Sequence, residues 1–163
     1  MTLFFRGKDA FSYAFENYLD TVYKIAVHNT SCVQDAQDIS QEVFLRLLQE
    51  KKSFRDAEHL KAWLIRVTVN LCHNTYRDSL REQPTDEIVC TEANEYEPDS
   101  AIEEVKKLPE NYRNAIYLHY YEGYTAKQIG SILDAKESTV LTWLSRGREM
   151  LKKNLTGGFT DGY

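Results

Sequence analysis

The stretch TAKQIGSILDAKESTVLTWLSRGREML, Thr125 to Leu151, decides how this chain reads. Thr125 stands just before an apolar-periodic run and predicts a cap for a helix over 126–133. Asp134 to Lys136 predicts a tight turn, and Glu137 or Ser138 opens a longer helix. Ile129, Ile132 and Leu133 on the first helix and Val140, Leu144 and Leu151 on the second supply a shared core. Ser138, Thr139, Leu141, Thr142, Ser145 and Arg146 then remain available to a DNA groove. Small polar residues at the N-terminal end of such a helix suit close approach to phosphates, which the helix dipole also favours. Lys127, Arg146, Arg148 and Lys152 add cationic contacts. The same pattern also fits a plain three-helix bundle.

Immediately upstream, LPENYRNAIYLHYYEG predicts another helix, with Pro109 at its start and Gly123 just past its end. Residues 109–155 carry seven cations against five acids, so this part is mildly basic although the chain's formal charge is -5. The negative balance lies in the segment before it. From Pro84 to Pro109 there are eight acids against two lysines, with two of the chain's three prolines at Pro84 and Pro98. Such a stretch is too polar to build a core, and residues 84–108 read as a flexible acidic linker. The last residues, 156–163, read as a frayed tail.

The first part, residues 1–83, has no proline and reads as three or four helices. Asp9 or Ser12 is placed to cap a helix running to about Asn29, with Phe11, Phe15, Tyr18, Leu19, Val22 and Ile25 at helical spacing. Asp35 caps a second, whose stripe is Ile39, Val43, Leu47 and Leu48. A third begins at Leu60 and buries Leu64, Val67 and Leu71. Away from these stripes lie Asp38, Gln41, Glu42 and Leu45 on the second helix. Arg66, Asn70, His73, Asn74 and Arg77 form one polar stripe on the third. Read from the residues alone, both sets fit solvated faces. Trp63 and Tyr76 fit either core packing or stacking on an unpaired base.

The expected fold is all-α: two small helical domains joined by the acidic linker, the second a helix-turn-helix. Cys32, Cys72 and Cys90 are too few and too scattered for a disulfide framework and read as buried or idle thiols. No second Cys/His pair sits at zinc spacing, so no metal or cofactor is expected. Glycine-rich phosphate loops and nucleophile elbows are absent, which argues against an enzyme. No long apolar run suggests a membrane span or signal peptide, so the expected location is the cytoplasm.

Three quoted stretches carry a resemblance. DAQDISQEVFLRLL resembles the core-binding helix of region two of the bacterial sigma-70 family, in its small extracytoplasmic-function (ECF) group. FRDAEHLKAWLIRVTVNLCHN resembles the promoter-melting segment of that family. LPENYRNAIYLHYYEGYTAKQIGSIL with STVLTWLSRGREMLKKNL resembles region four. Two unrelated signatures thus occur in the family's order around a linker.

The resemblance implies a dissociable subunit of RNA polymerase. Asp38, Gln41, Glu42 and Leu45 would dock on core RNA polymerase. Trp63, Arg66, Asn70, His73, Asn74 and Arg77 would hold the melted −10 element of promoter DNA, with a base flipped from the stack. Lys127, Ser138, Thr139, Thr142, Ser145, Arg146 and Arg148 would face the −35 element. The linker's carboxylates would mimic phosphates in a basic path of the polymerase. An anti-sigma factor partner, often membrane-bound in the family, is also implied. The alternatives are a stand-alone helix-turn-helix regulator and a degenerate sigma-like interaction module. The chain departs from the family pattern at four places. Leu141 and Trp143 stand where Lys and Arg are common, Asp134 where the turn usually has Gly, and Gly147 where Ala is common. Leu141 is suited to thymine methyls, and Trp143 to packing on the preceding helix.

Overall fold

Apolar residues recurring every three or four positions leave each helix one side to bury, and the chain satisfies them in two separate helical units. The computed structural model describes residues 6–81 and 100–160, and the chain divides into Met1–Asn94 and Glu95–Tyr163. Among the described residues, the first unit holds α1 (Gly7–His28), α2 (Val33–Gln49) and α3 (Ala57–Arg81). The second holds α4 (Ser100–Lys106), α5 (Glu110–Tyr120), α6 (Ala126–Leu133) and α7 (Glu137–Thr160). The all-α class with a helix-turn-helix in the second unit is thus the observed one.

In the first unit α1 packs on both α2 and α3. A helix wedged between two neighbours must bring its axis close to each, and small side chains permit this. Ala10, Ala14 and Ala26 are fully buried along α1, together with Val22 and Ile25. This rotates the expected stripe: Phe15, Leu19 and, on α2, Leu48 lie exposed rather than in the core. Phe15 stacks beside Phe11 at 5.8 Å and meets Phe44 edge-on at 5.7 Å, forming an aromatic rim. The core proper joins Ile39, Val43, Phe44 and Leu47 of α2 to Leu60, Leu64 and Leu71 of α3.

Helix starts also differ from the expected caps. α1 begins after Arg6 and α2 after Cys32, neither with a side-chain cap. Asp35 instead sits in the first turn of α2, where a carboxylate complements the dipole. α3 starts before Leu60 because Asp56 supplies the cap: its Oδ1 accepts the His59 amide at 2.8 Å. The Tyr18 hydroxyl donates to the Ala57 carbonyl at 3.4 Å, linking α1 to this start. Burial, then the neighbouring Tyr13 and the carboxylates of Glu58 and Asp56, push that phenol up to about 12, so it stays a neutral donor. Cys72 is a buried thiol outside any disulfide. Cys32 is half-buried just before α2, and Cys90 lies outside the described residues.

In the second unit α7 packs on α4, α5 and α6. Part of the expected linker belongs here. Val105 and Leu108 are buried, because the apolar positions of 100–108 find α5 and α7 to pack against despite the acids beside them. The remainder, residues 84–99, lies outside the described residues. α7 also runs past residue 156, so the start of the expected tail is helical to Thr160.

Two glycines set the helix approaches. A Cβ on Gly147 would lie 2.9 Å from Ile116 Cγ1 and 3.5 Å from Tyr112 Cβ, so this residue's small size lets α5 and α7 approach. That closeness offsets the roughly 1 kcal/mol that glycine costs inside a helix. On Gly130 a Cβ would meet the Ala135 carbonyl oxygen at 2.6 Å. Backbone cannot swing aside as a flexible side chain does. Gly130→Ala is therefore expected to destabilise the second unit by about 2–3 kcal/mol through overpacking. Amide hydrogen exchange should show faster exchange in α5–α7 and unchanged protection in α1–α3.

Candidate nucleic-acid interface

The turn between α6 and α7 is built from short-range bonds. Thr125 and Gln128 form a reciprocal capping box at the start of α6: Oγ1 accepts the Gln128 amide at 3.2 Å and Gln128 Oε1 accepts the Thr125 amide at 2.9 Å. α6 ends at Asp134, which adopts the left-handed conformation at φ 55, a region Asp tolerates better than most residues. The Ala135 amide then donates to the Gly130 carbonyl at 2.8 Å. These contacts fix how α7 leaves the turn, and hence which of its sides is packed.

The packed side of α7 carries Val140, Leu144 and Gly147. Its other side presents Ser138, Leu141, Thr142, Ser145, Arg146, Arg148 and Glu149, all exposed. Lys127 is exposed on α6, and Thr139 is half-buried at the edge. Trp143 is also half-buried. Arg148 does not hang free: its Nη1 donates to the Tyr120 hydroxyl at 3.2 Å, from the end of α5. The segment leading into α6 is held by His119, whose Nδ1 lies 2.7 Å from the Tyr124 carbonyl. A carbonyl only accepts, so that nitrogen carries the proton.

In the first unit, Asp38, Gln41, Glu42 and Leu45 are all exposed on α2. Their spacing of three, four and seven residues places them on one helix face. Leu45 is 53% exposed there, with the exposed Leu48 one turn further on. Arg46 Nε pairs with Glu42 Oε1 at 3.1 Å across one turn, which orients one carboxylate of the set. On α3, Arg66, Asn70, His73, Asn74 and Arg77 are likewise exposed. Tyr76 joins them, 61% exposed.

Trp63 differs from that stripe. It is half-buried and meets Phe54 edge-on at 5.5 Å. Phe54 is the residue that the sequence reading missed. It stands alone among the polar residues of the loop after α2, yet it is 2% exposed and its ring also meets His59 at 5.4 Å. One large aromatic in an otherwise charged loop was the available signal. Tyr120 was missed as well, because its role depends on a residue 28 positions away.

Comparison with known proteins places both units. Residues 14–82 match the family model for sigma-70 region 2, and residues 99–151 the model for sigma-70 region 4. The chain is 30% identical over 168 residues to the ECF RNA polymerase sigma factor SigW of Bacillus subtilis, covering 91% of this chain and 90% of that one. It is 24% identical to the RNA polymerase sigma-H factor of Pseudomonas aeruginosa, over 91% of this chain and 87% of that one. In fold it is similar to the sigma factor RpoE of Bartonella quintana, solved in complex with the anti-sigma factor NepR. The TM-score is 0.74 at 22% identity, covering 90% of this chain and 96% of that chain.

Phe54 anchors the loop that leads into α3. Phe54→Ala is expected to cost about 3–5 kcal/mol, the usual range for deleting a buried aromatic side chain. Chemical denaturation would read the loss, and Trp63 fluorescence should shift to the red in the folded variant as its ring loses its neighbour.

Proposed function

The chain belongs to the sigma-70 family of RNA polymerase sigma factors, in its ECF group, and from that membership we propose how its surfaces divide the work of initiation. As an ECF sigma factor it binds core RNA polymerase, directs it to specific promoters and helps melt the DNA. Asp38, Gln41, Glu42 and Leu45 on α2 form the contact to core polymerase. The α3 stripe of Arg66, Asn70, His73, Asn74 and Arg77 holds the opened −10 strand, with Tyr76 available to stack on an unpaired base. Trp63 borders that stripe from its seat on Phe54. The exposed side of α7, with Lys127 of α6, faces the −35 duplex. The chain acts in the cytoplasm and supplies no catalytic group of its own; polymerase does the chemistry.

One observation carries the reading. Two unrelated sigma signatures occur in family order, and most of the residues assigned to contacts here are exposed on helices whose other sides are packed, with Trp63 and Thr139 half-buried. A stand-alone regulator would account for the second unit only and would leave the region 2 match unexplained. The charge distribution fits the same division. A chain of formal charge -5 binds DNA weakly by itself, and the polymerase supplies the phosphate neutralisation it lacks. An anti-sigma factor is the expected regulator, as in the complex of the Bartonella quintana relative.

Purified chain mixed with core polymerase is expected to give specific run-off transcript from a matching promoter, with none from either component alone. Loss of transcript together with loss of core binding would reject the assignment. Replacing Asp38 and Gln41 together by alanine should weaken core binding about tenfold or more, if two charge-assisted or polar contacts of ordinary strength are lost. Far-ultraviolet circular dichroism should not change, since both side chains are exposed. Unaltered affinity would remove these residues from the interface.

A further inference from the structure

We propose that Leu141 is a specificity-determining residue that reads a thymine of the −35 element through its 5-methyl group. The inference rests on the sigma-factor reading above and deepens it at one residue. Leu141 is 53% exposed near the start of α7, on the side that also presents Ser138, Thr142 and Ser145. Val140 and Leu144 already fill the packed side, so the fold makes no use of this leucine.

Its neighbourhood excludes a broad docking patch. The residues one turn away are Glu137 and Ser138 before it and Ser145 after it, all exposed and polar, and Leu144, which is buried. The other exposed leucine of α7, Leu155, is 14 residues on, about 21 Å along the axis, with Arg148 and Lys152 between. A protein partner held by hydrophobic contact needs contiguous apolar area. A lone apolar side chain among small polar ones fits a target of methyl size. In the major groove the thymine 5-methyl is that target, since the other base-edge features are donors and acceptors.

Thr142 supports the same choice. Its hydroxyl donates to the Ser138 carbonyl at 3.1 Å, so its proton is spent within the helix and it brings a methyl and lone pairs to a base edge. Phosphate contacts fall to Arg146 and Arg148, the latter steadied by Tyr120. Backbone grip and base reading are thus assigned to different residues, and the reading position carries no charge.

The test uses the full chain reconstituted with core polymerase. A −35 element is selected from a randomised promoter library, and each of its thymines is replaced in turn by deoxyuridine, which removes the methyl alone. Burial of one methyl group corresponds to about a fourfold change in affinity. One thymine is expected to show that penalty with the wild-type chain and to show none with Leu141→Ala. Leu141→Lys, which also keeps the exposed position, should lose the methyl effect and select a different base there. Selected elements that lack thymine, substitutions that are all neutral, or a penalty that persists undiminished in Leu141→Ala would each overturn the inference while leaving the sigma assignment intact. A library that enriches nothing overturns both.

Discussion

The turn between α6 and α7 is the constraint on which the reading of the second unit depends. Asp134 reverses the chain at positive φ, the Ala135 amide returns to the Gly130 carbonyl, and Gly130 has no side chain to obstruct the approach. Once the turn is fixed, Val140, Leu144 and Gly147 must face α5 and α6. The opposite side of α7 is therefore presented, with its polar residues and one leucine. A different turn would bury a different side and present a different set of atoms to DNA. The departure from the family's usual glycine at Asp134 leaves this geometry in place, because the αL conformation is still reached.

The first unit solves a comparable problem without a tight turn. Buried alanines let α1 approach α2 and α3 together, so the larger apolar residues of α1 and α2 are partly displaced to the surface. The polar faces of α2 and α3 then remain exposed. In both units, function is assigned to what packing leaves over. That is why a sigma factor with few charged contacts in its cores still carries dense polar stripes.

Much of this was legible in the sequence. Apolar periodicity located the long helices, and Thr125 marked the start of α6 in advance. The polar stripe of α3 and the α2 set emerged on the expected faces. What escaped the sequence depended on distant neighbours. Phe15, Leu19 and Leu48 have core-like spacing, but whether they are buried is decided by how closely three helices approach. Residues 100–108 looked like linker because their acids outweigh their few apolar residues, yet Val105 and Leu108 are enough to seat α4. The starts of α2 and α3 differ for separate reasons: Asp35 lies three residues past the cap position at Cys32, where no side chain caps the helix, and Asp56 was hidden in a loop. Gly147, where the family commonly has Ala, has its reason in Ile116, which a Cβ at that position would meet at 2.9 Å.

The central claim is that the two units touch different targets in one initiation complex. Site-specific photo-crosslinking tests it most directly, with a benzophenone amino acid placed singly at Gln41, Tyr76 and Ser145 in the reconstituted promoter complex. The account predicts crosslinks from position 41 to a core polymerase subunit, from 76 to the single-stranded −10 region, and from 145 to the −35 duplex. Crosslinks from 145 to protein alone, or from 41 to DNA in place of polymerase, would contradict it.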